Sequence, residues 1–103
     1  MMHRFAWEVP SDHPALPGHF PGRPIAPGAV LLDRLDLFAK CVPGLEGRPL
    51  RLEHAKFLHT AGPGDSLTFV LQARAGGGVS FRIERDSTVL VLGTLAAGAG
   101  SSA

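Results

Sequence analysis

The chain has a single cysteine, Cys41, no tyrosine and one tryptophan. One thiol excludes an internal disulfide and any cysteine-based zinc site, and Cys41 is read as a small buried hydrophobe. Charge is sparse as well: charged residues make up 18% of the sequence and the net charge is +1. With neither a basic stripe nor an acidic block there is no field to select nucleic acid or an anionic membrane surface, and neither is expected as a partner. No apolar run is long enough to span a bilayer. The first residues, Met1-Met2-His3-Arg4-Phe5-Ala6-Trp7-Glu8-Val9, put Arg4 and Glu8 where a secretory signal would need an uninterrupted apolar stretch. A cytoplasmic protein is the expectation that follows.

What is present fits one globular domain. The 103 residues are 45% hydrophobic, which is a folded composition and too short a chain for two cores. We place the domain at residues 1–97 and read 98–103, Gly-Ala-Gly-Ser-Ser-Ala, as a frayed tail. A domain of this size buries only about 60–68% of the surface its unfolded chain exposes. Association with a second copy, or with more, would supplement so small a core.

Phe5, Trp7 and Val9 alternate with Ala6 and Glu8, which predicts a strand over 3–9. Residues 10–28 then hold Pro10, Pro14, Pro17, Pro21, Pro24 and Pro27, six of the nine prolines, with Gly18, Gly22 and Gly28 between them. Each proline fixes φ and removes a donor, so the stretch is neither helix nor central strand. A loop this long inside a compact domain is usually functional. Residues 29–42 are the one convincing helix, started after Pro27-Gly28 and stopped by Pro43-Gly44. Leu31, Leu32, Leu35, Phe38, Ala39 and Val42 share a face, and Val30, Leu37 and Cys41 widen the apolar surface beyond a single stripe. Four strands follow, at 49–58, 66–74, 79–85 and 88–96, separated by Gly62-Pro63-Gly64-Asp65, Gly76-Gly77-Gly78 and Asp86-Ser87 turns. The last is apolar on both faces and should be internal. The fold class is therefore α+β, one mostly antiparallel sheet curling around one helix.

The loop and helix start read Gly18-His19-Phe20-Pro21-Gly22-Arg23-Pro24-Ile25-Ala26-Pro27-Gly28-Ala29-Val30-Leu31-Leu32-Asp33. This string resembles the hotdog-fold 3-hydroxyacyl-acyl-carrier-protein dehydratases, whose signature is a GHFPGxPxxPG loop followed by an apolar helix bearing Asp or Glu. Pro63-Gly64-Asp65 before a strand is similar too, and the order of elements agrees over most of the chain. Leu32-Asp33-Arg34 most resembles the short dehydratases of aryl-polyene-type clusters. The resemblance implies a hotdog fold and removal of water from a 3-hydroxyacyl thioester carried by an acyl carrier protein, with no cofactor and no metal. It implies a homodimer or larger homo-oligomer, with His19 as base, Asp33 as acid or water-holder, and Gly28, Phe20 and Pro27 binding the substrate.

The chemistry suits those residue types. Dehydration needs a base for the α-proton, an acid for the departing hydroxyl and donors for the thioester oxygen. A histidine with an ordinary pKa near about 6.5 is largely neutral at neutral pH and can take a proton. His19 sits in a loop stiffened by Pro17, Pro21 and Pro24. Gly28 lies at the helix start, where unpaired N–H groups and the positive dipole end favour a developing oxyanion. Asp33 has two readings: on a helical wheel it shares a side with Asp36 and Lys40, which describes a solvated polar stripe, or it is covered by a second subunit and works in the site. Members acting on long chains usually carry Gln four residues after the acid; here that position is Leu37.

Other features carry less. His54 and His59 are five apart on an expected strand and so should face opposite ways, while His13 and His19 have no third ligand, so no metal site is expected. Gly76-Gly77-Gly78 lacks the Lys-Ser/Thr of a phosphate loop. The arginines are scattered; an acidic carrier protein could meet some of them, but each is read first as solvated surface. A hotdog thioesterase, or a non-catalytic acyl-binding subunit of the same fold, is the alternative reading.

Overall fold

The computed structural model describes residues 2–10, 26 and 28–98. Six elements run in the order β1 (Met2–Glu8), α1 (Gly28–Ala39), β2 (Leu50–Phe57), β3 (Ser66–Ala73), β4 (Gly78–Arg85) and β5 (Thr88–Ala97). The strands form one antiparallel sheet in the order β1-β3-β4-β5-β2, so β1 and β2 are its two edges. This is the α+β hotdog arrangement expected from the sequence. The expected last strand, apolar on both faces, is β5, and it is internal, paired with β4 on one side and β2 on the other.

The alternating patterns decide which face is covered. Val79, Phe81 and Ile83 of β4 are buried, with Ser80, Arg82 and Glu84 half-buried between them. Cross-strand partners share a face; Phe81 pairs with Leu71 and Ile83 with Phe69, so both strands turn the same residues inward. Against them sit Leu31, Leu35 and Ala39 of α1, all in one buried cluster. Phe38 stacks on Phe5 at 4.7 Å between centroids and meets Phe69 edge-on at 5.2 Å.

Turn chemistry follows the sequence closely. Asp86 and Ser87 both take positive φ, 51° and 71°, as a two-residue hairpin of this hand demands, and aspartate tolerates that region better than most residues. At the other hairpin Gly76 and Gly77 carry the positive φ.

Two expectations about the helix need correction. It ends at Ala39 rather than Val42; Cys41 and Val42 donate to carbonyls only three residues back, at 2.9 and 3.1 Å, so the last turn tightens before Pro43. Cys41 is consequently exposed, not buried, and its thiol lies 3.5 Å from the Leu37 carbonyl. Leu37 is 51% exposed, because the sheet reaches only one side of the helix. The arginines are also less idle than expected. Arg48 donates from Nε to the Gly98 carbonyl at 2.7 Å, tying down the end of β5. Residues 99–103 of the expected tail lie outside the described residues.

The sheet is bent by two irregularities in register, one between Leu52 and His54 of β2 and one between Ile83 and Glu84 of β4. Beside the first, Gly93 lets β2 come close. A Cβ built there would lie 2.1 Å from the His54 carbonyl oxygen and 2.8 Å from the Phe81 ring. Gly93→Ala should destabilise the fold by about 1–3 kcal/mol, the usual range for overpacking. Urea denaturation measures this, and an unchanged midpoint would contradict so close an approach.

Candidate active site

His19, Phe20 and Pro27 lie outside the described residues, as does His13; Gly28 and Asp33 lie within them. Gly28 is the first residue of α1, whose opening turn carries no acidic side chain. The first N–H groups of a helix have no intrahelical acceptor. Phe57, the last residue of β2, lies against this point: a Cβ on Gly28 would come within 3.0 Å of two ring carbons. The missing side chain therefore lets an aromatic ring lie over the helix start.

Gly28 and Phe57 belong to an open pocket of about 230 Å³, completed by Ala26, Leu31, Leu58, His59, Thr60 and Ala61. Its floor is apolar, with Ala26, Leu31 and Ala61 buried, and His59 and Thr60 are exposed. The segment after β2 is held in place by one carbonyl: Leu90 accepts from the N–H of Leu58 at 2.7 Å and of His59 at 3.2 Å. Since β2 ends at Phe57, His59 is not on a strand, and the expectation that His54 and His59 lie on opposite faces of one strand does not apply. Sequence reasoning missed Phe57 and the pocket side of His59. The available signal was an aromatic closing a strand just before the Gly62-Pro63-Gly64-Asp65 turn.

Asp33 is exposed, and it has no ion pair or hydrogen bond among the described residues. The polar stripe expected around it divides in two. Asp36 pairs with Lys40 at 3.0 Å, while Asp33 stands in the row Ala29, Asp33, Leu37, all exposed and four residues apart, hence neighbours along one helix face, with exposed Cys41 just past the helix end. The members flanking Asp33 are apolar. Arg34 turns the other way, with its guanidinium carbon 4.9 Å from the Trp7 ring centre and 5.8 Å from that of Phe38. This contact ties α1 to β1 at the residue beside Asp33.

Residues 2–94 match the family model of the ApeI-like proteins, described as ApeI dehydratase. The chain belongs to this family. Among curated proteins it is similar to the 3-hydroxyacyl-[acyl-carrier-protein] dehydratase FabZ of Cereibacter sphaeroides, 31% identical over 79% of this chain and 58% of that protein. FabZ of a Wolbachia strain from Drosophila simulans is 40% identical over 63% of this chain and 49% of its own length. The chain thus spans about half the length of the curated relatives it matches. Among solved structures, the ApeI:P dehydratase heterocomplex of Xenorhabdus doucetiae aligns with a TM-score of 0.80 at 21% identity, covering 94% of this chain and 87% of that one. An (R)-hydratase from A. caviae aligns with a TM-score of 0.69 at 17% identity over 93% of both chains. At these identities the structural likeness establishes the fold alone, and it is the hotdog fold for this ApeI-like chain.

Trp7 is the one tryptophan, so the Arg34 contact can be read directly. Arg34→Ala should change the tryptophan emission spectrum and lower stability by about 0.5–1 kcal/mol, the usual scale of an exposed cation–π contact. Fluorescence-detected denaturation measures both, and an emission spectrum identical to wild type would count against the contact.

Proposed function

We propose that this ApeI-like protein dehydrates 3-hydroxyacyl thioesters carried on an acyl carrier protein, giving trans-2-enoyl thioesters, with His19 as base and Asp33 as acid or water-holder across a homodimer interface. One observation within the described residues supports this above the others. The open apolar pocket sits against the unpaired helix start at Gly28, and the same helix carries an exposed carboxylate flanked by apolar neighbours. Membership of the dehydratase family supports the reaction class.

In the proposed reaction the acyl chain lies against Phe57 and Leu31, and the thioester oxygen points to the Gly28 N–H. His19 removes the α-proton, and the electron pair left on the α-carbon is delocalised toward that oxygen, where the helix start offers a donor and the positive end of its dipole. The pair then forms the α,β double bond as the C–O bond at the β-carbon breaks. The departing hydroxyl takes a proton and leaves as water, with Asp33 giving that proton or holding the water. Phe20 and Pro27 complete the substrate contacts.

The shared site is supported by what one chain leaves open. Edge strand β2 and the segment after it expose Leu52, Phe57 and Leu58, while α1 exposes Leu37. Water excluded from that surface by a second copy would also be excluded from around Asp33. The similar Xenorhabdus doucetiae protein belongs to a dehydratase heterocomplex, which supports assembly of chains of this fold.

Turnover of a 3-hydroxyacyl thioester on acyl carrier protein, followed by conjugated-enoyl absorbance, tests the activity. Release of free thiol without enoyl product would indicate a thioesterase, and acyl binding with neither product a non-catalytic subunit. His19→Ala should lose at least about 10²-fold in kcat, the scale of a lost general base. Near-normal turnover with an unchanged melting curve would remove His19 from the site.

Sharing of the site is tested by mixing. His19→Ala and Asp33→Asn proteins, each inactive alone, should form about half mixed dimers when unfolded and refolded together. One of the two sites in a mixed dimer then joins an intact His19 to an intact Asp33, so about a quarter of wild-type activity should return. No recovery, with mixed dimers verified by mass spectrometry, would place both residues within one chain or remove Asp33 from the reaction.

A further inference from the structure

Arg85 and Asp65 lie outside the groups that would touch substrate, yet their hydrogen bonds lead to the start of α1. Asp65 Oδ2 accepts from Arg85 Nη1 at 2.8 Å and from the N–H of Gly62 at 2.8 Å. The same Nη1 donates to the carbonyl of Thr60 at 3.0 Å. One guanidinium nitrogen, with its two hydrogens in a fixed plane, thus bridges both ends of the Thr60–Asp65 turn. Asp65 and Gly64 are tied in turn to Val9 just beyond β1, with Val9 N donating to Asp65 O at 2.9 Å and Gly64 N to Val9 O at 2.8 Å.

Within the turn so fixed lies Ala61, which is 1% exposed. Its carbonyl accepts the N–H of Ala26 at 2.7 Å. Ala26 is two residues ahead of Gly28, and Pro27 between them has no N–H to give. The Ala26 bond is therefore the last backbone donation by which the chain can be anchored before the unpaired amides of the helix begin.

We propose that Arg85 and Asp65 are positioning residues: through the Thr60–Asp65 turn and the Ala61–Ala26 bond they set where the Gly28 N–H points. The part that concerns catalysis rests on the dehydratase reading, in which Gly28 is the donor to the thioester oxygen. A donor aimed at charge that develops only in the transition state changes kcat more than KM when it is displaced.

The test uses Arg85→Met in the full chain, with amide exchange followed by NMR beside steady-state kinetics. Exchange at Ala26 should accelerate about tenfold or more while the amides of Phe69 and Val91 in the sheet keep their protection. The kcat should fall about tenfold with KM changed less than about twofold. Arg85→Lys, which keeps the charge and offers donors without the planar fork, should restore part of both. Wild-type exchange at Ala26 in a folded Arg85→Met protein overturns the proposal, and so does accelerated exchange with kcat unchanged. If Arg85→Met does not fold, Asp65→Asn, which keeps an acceptor for Gly62 but loses the charge, should show the same changes at smaller size, and wild-type behaviour of that variant overturns the proposal equally. A wild-type protein that turns over no 3-hydroxyacyl thioester sinks the dehydratase reading instead, and exchange at Ala26 alone then decides whether Arg85 holds the helix start.

Discussion

A helix of 12 residues must be kept from water by a sheet that reaches only one side of it. Leu31, Leu35 and Ala39 face the sheet and are almost fully buried, and Phe38 extends the contact through Phe5 and Phe69. A single layer of strands cannot close around the opposite face, and a longer apolar run there would only enlarge the surface left uncovered. The row Ala29, Asp33, Leu37 is that remainder. In a chain this small the loss matters, since apolar area removed from water contributes on the order of 25 cal/mol per Å² and the total core is limited. The face left open is also the face that carries the carboxylate, so the deficit in burial and the proposed sharing of a site have one physical origin.

Helix rotation decides which residues make up that remainder. Arg34 lies over Trp7 and Phe38, and a guanidinium on an aromatic face is held by both charge and flat contact. Rotating α1 to hide Leu37 would pull Arg34 off Trp7 and lift Leu35 out of the core. The exposure of Asp33 is therefore fixed by contacts on the far side of the helix, not by any partner of its own among the described residues.

Much of this was legible in the sequence, for reasons that can be stated. The succession of elements along the chain and the hairpins could be read because turn residues Gly76-Gly77 and Asp86-Ser87 part the strands, and because Val79, Phe81 and Ile83 alternate without a break; the order of strands in the sheet, with β1 and β2 at its edges, could not. The family likeness could be read from a long, contiguous string between Gly18 and Asp33. The helix end could not, because Lys40, Cys41 and Val42 continue the periodicity while the backbone already tightens at Ala39 ahead of Pro43-Gly44. Periodicity placed Asp33 with Asp36 and Lys40 because a helical wheel records angle and ignores pairing; the Asp36–Lys40 ion pair separates them. Phe57 meets Gly28, and Arg85 meets Thr60 and Asp65, across 20 or more residues; locally, the sequence marks only an aromatic closing a strand, and nothing in it pairs Arg85 with Asp65.

Where Phe57 ends up is a consequence of how the sheet bends. The register of β2 on β5 slips at Glu53, between the pairs Leu52–Leu95 and His54–Thr94, and an unmatched residue of this kind kinks its strand and increases its twist. The register of β4 on β5 skips Leu90, between the pairs Ile83–Val91 and Glu84–Val89. Leu90 then has its carbonyl free to receive Leu58 and His59, which stops the segment after β2 from continuing straight past the helix. Gly93 is what permits the first of these distortions, since any side chain there would meet the His54 carbonyl. With the register of β2 shifted at Glu53 and its exit caught by Leu90, Phe57 comes to lie on the one helical residue without a Cβ to oppose it. The pocket beside Gly28 is in this sense a product of a bulge, a spare carbonyl and two glycines that lie far apart in the chain.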